Sequence, residues 1–340
     1  MPATNPYHHI RPDVLPLLAD GKLFTEAEQR QATRFAYAEA IIEVARDTPE
    51  IVMLNADVSK AIRTDAFART YPNREFNFGI AEQNMVAAAA GMAACGLIPF
   101  VSTYAVFVTM RALDQVRNSI CYPRLNVKIA ASHGGITPGP DGVTHQGQED
   151  LTLMRALPNM TVIAPADSPS TKLAIRAAAA RSGPVYISLT RDPAPFLYDE
   201  SYPFAIGRAV TVREGRDATI IANRDMVAHA LIAAENMGRE GLDVRVLDCH
   251  TLKPLDEEAI LQAAHETGAI VTAENNVYYG GLGSAVAELL GEQRPTPFKR
   301  IGVRDTFAES GPTLAVMDKY GLSARHIVAA VHDVLARKAR

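Results

Sequence analysis

Residues 76–96 read FNFGIAEQNMVAAAAGMAACG, and the fold follows from how this stretch divides. Phe76–Phe78 has strand character, Gly79 ends it, and Glu82 then opens a run made almost wholly of small residues. A short β run that closes on glycine and passes directly into a helix is the repeating step of an α/β sheet. Alanine and glycine permit close backbone approach, so the helix reads as a surface for packing against a partner helix. An acid in the first helical turn is favoured by the helix dipole whatever else it does. Glu82 is therefore either a terminus-stabilising carboxylate or a working one.

Outward from this segment, no charged residue occurs from Asn84 to Met110. That length raises the question of a membrane span. The run is broken by Gly91, Gly96 and Pro99 and continues as Val101-Ser102-Thr103-Tyr104, so it reads as buried helix, turn and buried strand. Further strand runs fall at 51–54, 75–78, 98–102, 127–131, 161–164 and 185–189, alternating with helical patterns near 80–95, 107–120, 149–156 and 169–181. A second alternation follows, with strands near 218–222, 243–247, 269–273 and 299–303 and helices near 225–240, 256–267, 281–291 and 323–337. The pattern predicts two doubly wound α/β domains with mostly parallel sheets, at 25–190 and 207–340, joined by a proline-rich linker at 191–206. Residues 1–24, with Pro2, Pro6, Pro12 and Pro16, read as an extended arm lying on a partner subunit. Thr25-x-x-Glu28 has the form of a capping box, which places the first helix start at Thr25.

Composition narrows the function classes. The chain has 340 residues, 48% hydrophobic and 21% charged, which suits a globular protein with two cores. The net charge is −4 and the basic residues are scattered, so neither nucleic acid nor a membrane surface is an expected partner. Cys95, Cys121 and Cys249 form no CxxC pair and read as buried structural thiols of a reducing compartment. The N-terminus lacks a basic region followed by an apolar core, so the expected location is cytoplasmic.

Three motifs carry the chemistry: GIAEQNM at 79–85, STYAVF at 102–107 and SHGGITPGPDGVTHQ at 132–146. In this order and at these separations they resemble the transketolase family, above all members split into two polypeptides. The resemblance runs from about Arg34 to the C-terminus. It implies a thiamine-diphosphate pyrimidine-binding fold followed by a transketolase C-terminal domain. It also implies transfer of a two-carbon ketol unit from a ketose phosphate to an aldose or aldose phosphate. By the same resemblance Glu82 faces the cofactor's aminopyrimidine and shares a proton with it, in a desolvated setting. Tyr104 and Phe107 flank that ring, and Met110 stands where some members have a third aromatic residue. His133, Asp141 and His145 handle substrate hydroxyls and protons, although Pro140 replaces a usual acid. Arg191 contacts a terminal phosphate, with Arg63 as a second contact. The spacing of His133, Asp141 and His145 does not suit a metal site.

The second half carries KPLD at 253–256 and YGGLGSAVAELL at 279–290, like the family's C-terminal domain, which ordinarily takes no direct part in the chemistry. It departs from the family at Asn223-Arg224-Asp225, where Gly-Ser is usual, and at Asn276. No diphosphate-binding segment with GDG and a metal-binding Asn is present. The resemblance therefore implies a second subunit that holds the diphosphate and a divalent ion such as Mg2+. The implied assembly is α2β2, with self-association through the pyrimidine domain. Two other activities share these motifs in part: a deoxyxylulose-phosphate synthase-like reaction, and the beta subunit of a 2-oxo acid dehydrogenase. A non-catalytic, stabilising or regulatory subunit would have no need of Glu82, His133, Asp141 and His145.

Overall fold

Apolar runs too short for helices become inner strands buried on both faces, while Glu75–Asn77 forms a partly exposed edge. β1 (Ile51–Asn55), β2 (Glu75–Asn77), β3 (Ile98–Tyr104), β4 (Lys128–Ser132), β5 (Thr161–Ile163) and β6 (Val185–Ser188) pair in parallel, in the order β5-β6-β4-β3-β1-β2. β7 (Val210–Arg213), β8 (Ala218–Ala222), β9 (Val244–Asp248), β10 (Thr251–Lys253), β11 (Ile270–Val277) and β12 (Phe298–Val303) follow. Five of these make a second sheet, β12-β11-β8-β9-β7, parallel except for its edge strand β7. This computed structural model describes residues 5–339. The mostly parallel α/β class expected from the alternation is what is observed.

Helices cover both faces of each sheet, as parallel strands require. On one face of the first sheet, Tyr37 and Ile41 of helix Thr33–Asp47 meet Ile175 and Ala178 of helix Ser168–Ala180 over Met53 and Phe100. On the other face, Met85 and Val86 of helix Glu82–Ala94 pack over Val101 and Ile129. That second core does not stop at the domain boundary, since it also takes in Ile221, Leu247, Leu252 and Leu282. The sixth strand expected for neither domain, β10, leaves its own domain and pairs antiparallel with β5 as the seventh strand of the first sheet. No helix among the described residues is long and apolar enough to cross a membrane.

Several local expectations are corrected. The long helix starts at Thr33, not Thr25; Thr25 lies in the single turn Leu23–Glu26, and its hydroxyl bonds Lys22 O at 3.0 Å. The break falls where Arg30–Gln31 pairs with Ala194–Pro195, so a strand pairing overrides the capping pattern. The described part of the N-terminal arm lies on its own chain: Tyr7 bridges Arg213, Ile10 bridges Tyr198, and Val14 and Leu18 join the core of the second domain. Residues 107–120 are not one α-helix but two π-wound segments, Phe107–Arg111 and Val116–Cys121, around a short α turn. Cys95 is exposed rather than structural, because helix Glu82–Ala94 turns its Ala87–Gly91–Ala94 stripe outward.

The linker is fastened by one buried carboxylate. Asp167 caps helix Ser168–Ala180, taking Ser170 N at 2.9 Å and Ser170 Oγ at 2.7 Å, while its other oxygen takes Leu197 N at 2.8 Å and Tyr198 N at 3.0 Å. Asp167→Ala removes the cap and strands two buried linker amides, so urea unfolding should show a loss of about 2–3 kcal/mol. A loss below about 0.5 kcal/mol would mean that the linker finds other partners.

Candidate active site

The first sheet releases its chain at the carboxyl ends of its strands, the edge where open α/β sheets bind ligands. Tyr104 ends β3, His133 follows β4, and Arg191 stands three residues past β6. The structure brings these together. The His133 ring stacks on Tyr104 with centroids 3.7 Å apart, and Tyr104 stacks on Phe107 at 5.5 Å. His145 meets Phe107 edge-on at 5.6 Å and lies 5.9 Å from Tyr104. Asp141 closes the group, accepting from Arg191 Nε at 2.8 Å and lying 3.6 Å from His133 Nε2.

His133 is held in an unusual state. Its backbone is left-handed (φ 66°), a conformation uncommon for residues with a side chain, although His tolerates it better than most. Its imidazole is buried, with Nδ1 2.6 Å from Ser132 Oγ. Burial first, then the Arg34 and Arg191 guanidinium charges and His145, push its pKa down to about 2. The imidazole is therefore neutral across the working pH range, and the 3.6 Å approach to Asp141 is a polar contact, not an ion pair.

Glu82 lies one step along the same edge. It is only 1% exposed, at the first turn of its helix, and its Oε2 accepts from Arg111 Nη1 at 2.8 Å. Arg111 also lies over the Phe107 ring, 4.8 Å from its centroid. Arg111 is half exposed, so this buried carboxylate is paired with a side chain that reaches solvent. Arg111 was not singled out in the sequence, because a π-wound segment places it where α-helical spacing does not.

Arg34 and Arg63 lie on the same Phe35 ring, 5.0 Å and 5.1 Å from its centroid, and the Arg63 side chain makes no hydrogen bond or ion pair among the described residues. Arg34 is the cation beside Arg191. The Thr33 hydroxyl lies 3.0 Å from Thr190 Oγ1 and accepts from Thr190 N at 2.7 Å, which pins the helix start to the exit of β6. Arg34 thereby feels the charges of Arg191, Asp141 and Asp192, and its buried Nε has no partner. A basic residue just inside a helix start, against the dipole, was the available signal for it.

The arrangement offers a flat, hydrogen-bonding heterocycle a buried carboxylate and aromatic faces. It offers a polyhydroxyl substrate a neutral imidazole, a second imidazole and a carboxylate. Two guanidinium groups at the rim suit a terminal oxyanion. Among the described residues no group of three or more His, Cys, Asp or Glu side chains could hold a metal ion.

Comparisons with known proteins agree with this geometry. Residues 29–195 match the family model described as transketolase, pyrimidine binding domain, and residues 207–327 match that of the transketolase C-terminal domain. The chain is 46% identical over 305 residues to the 6-deoxy-6-sulfo-D-fructose transketolase subunit SqwH of Clostridium sp. (strain MSTE9), covering 90% of this chain and 95% of that one. It is 36% identical over 310 residues to transketolase-like protein 2 of Mus musculus, covering 90% of this chain but 49% of the relative. A split-gene transketolase solved as an inactive beta4 tetramer superposes with a TM-score of 0.85 at 49% identity, covering 90% of this chain and 99% of the other.

The depressed His133 pKa has a measurable sign. The imidazole is neutral when folded but takes a proton below about pH 6.5 when unfolded, so the unfolded state binds more protons and stability falls as pH drops from 6.5 towards 2. His133→Asn should flatten this slope by up to about 1.4 kcal/mol per pH unit between pH 6 and 4, measured by urea unfolding. Parallel slopes for both proteins would show that His133 protonates freely in the fold.

Proposed function

The chain belongs to the transketolase family, and we propose that Glu82, Phe107, His133, Asp141, His145 and the Arg34–Arg191 pair form one half of an active site completed by a second subunit. The chain is a transketolase subunit: it matches a subunit relative nearly end to end and a single-chain relative over half of that chain's length. The family works with thiamine diphosphate, and the pyrimidine-binding domain receives the cofactor's aminopyrimidine. When bound, that cofactor supplies the electron sink for breaking and making the bond beside the ketose carbonyl.

The observation that carries the site assignment is the buried Glu82 carboxylate, joined through Arg111 to the Phe107 ring, which itself packs with Tyr104 and His145. The Glu82 carboxyl hydrogen-bonds a ring nitrogen at a place its burial keeps from water. Phe107 and Tyr104 provide flat apolar faces that orient a ring at low entropic cost. His133, neutral, donates or accepts at a sugar hydroxyl without bringing a charge into the site. Asp141 holds Arg191 until a substrate oxyanion competes for it. The fit concerns only the pyrimidine end. In this proposal the diphosphate and its divalent ion, Mg2+ or another, belong to the second subunit.

The same reading gives the uncovered face of helix Glu82–Ala94 a role in self-association, within an assembly such as α2β2. Gly91 there faces open space, Cys95 at the helix end is exposed, and so are Ile80, just before the helix, and Met110. Burying such a face is worth far more than leaving it in water.

Two experiments test the assignment. In the assembly of both subunits, Glu82→Gln should lower kcat by about two to four orders of magnitude with folding intact. Near-normal turnover by a folded, cofactor-saturated variant removes Glu82 from the mechanism. Arg34→Ala and Arg191→Ala should each raise KM for ketoses with a terminal phosphate or sulfonate by about tenfold or more, and leave KM for neutral ketoses within about twofold. Equal changes for charged and neutral sugars would exclude an oxyanion clamp.

A further inference from the structure

The second domain supplies a side chain that no account of the site has used so far. Arg224 stands just past β8 and is the largest fully buried side chain among the described residues. Its backbone is left-handed (φ 49°), where glycine sits freely and an arginine is disfavoured by roughly 1–2 kcal/mol. A buried guanidinium also carries a desolvation penalty that its ion pairs do not reliably recover. Both costs fall on a position where a small residue would do, so the contacts made by this side chain are the feature to be explained.

Those contacts cross the domain boundary and converge under the His133 loop. Arg224 Nη1 donates to Ser188 Oγ at 2.6 Å and lies 3.6 Å from Asp150 Oδ2 in the first domain. Asp150 is itself buried and accepts from Tyr186 Oη at 2.8 Å and Ser188 Oγ at 2.5 Å. Within the second domain Arg224 donates to Asn275 O, and its Nε lies 3.3 Å from Asp225 Oδ1. Asn275 in turn receives Ile136 N on Oδ1 at 2.9 Å and donates to Asp225 Oδ2 at 2.7 Å. A β-carbon at Gly134 would overlap Arg224 and Ser188, and one at Gly135 would overlap Asn275. The backbone next to His133 thus rests directly on the guanidinium and on Asn275, whose backbone carbonyl the guanidinium holds.

We propose that Arg224, with Asn275, is a positioning residue that fixes the left-handed conformation of His133 and so presents its imidazole to the substrate. The second domain is then a working part of the site, as the floor on which the loop 133–136 is laid. This rests on the role given to His133 above.

The test is a double-mutant cycle in the assembly of both subunits. Arg224→Lys keeps the charge but loses the planar fork, and Asn275→Ala cuts the second contact without leaving Asp150 alone. Each should lower kcat/KM about ten- to a hundredfold when His133 is present, as expected for a displaced group. In a His133→Ala background each should cost less than about twofold, because the group they position is gone. Cofactor affinity should stay within about twofold throughout. Equal losses in both backgrounds would make Arg224 and Asn275 parts of the scaffold alone and overturn the proposal. The imidazole NMR signals of His133 in the isolated chain give a readout without turnover. A shift of those signals in Arg224→Lys supports the brace even if the assembly has no transketolase activity, and an unmoved signal overturns it even if activity is present.

Discussion

Parallel pairing imposes one constraint on everything else in this chain: all six strands of the first domain end at the same edge. Each strand must be followed by a return over one face of the sheet, so the turns that begin those returns crowd together. Glu82, Tyr104, His133 and Arg191 are far apart in sequence and belong to four different turns. They are neighbours because the pairing register leaves them nowhere else to go. Arg34 joins them by a smaller tie, the hydroxyl contact between Thr33 and Thr190.

Charge is arranged around that edge by sign. Arg34, Arg191 and Arg111 bring positive charge to a rim that holds Glu82, Asp141 and Asp192. At the centre of this array lies a histidine that cannot take a proton, since burial and the nearby guanidinium groups oppose it. A neutral imidazole among fixed charges can pass or hold a hydrogen bond without rearranging the field around it. The left-handed turn at His133 and the buried network beneath it serve the same end, which is a group whose place is set before any ligand arrives.

Much of this was legible in the sequence, for physical reasons. Short β-rich runs alternating with helical patterns read as strands of a parallel sheet, and ten of the twelve strands of the two large sheets were placed in this way. The motifs at 79–85, 102–107 and 132–146 sit in the turns that the sheet gathers. What escaped reading was decided by contacts between distant residues. The start of helix Thr33–Asp47 was set by the pairing of Arg30–Gln31 with Ala194–Pro195, which outweighs a local capping pattern at Thr25. Nothing in type or spacing marks Arg34, and the Thr33–Thr190 contact is what brings its helix start to the exit of β6. Arg224 looked like a departure from a family habit, and its meaning depends on Asp150, Ser188 and Gly134 in another domain. The outward face of Cys95 depends on which side of its helix the sheet takes.

The strand Thr251–Lys253 leaves its own domain to close the edge of the other, while the N-terminal segment crosses in the opposite direction to seal the second core. Two bodies joined in this way are not beads on a string. Cut at the linker, the first would expose Thr161–Ile163 as a bare sheet edge, a template for aggregation, and the second would lose the cover over its helices. Shuffling or shortening at the apparent domain boundary is therefore closed to this architecture.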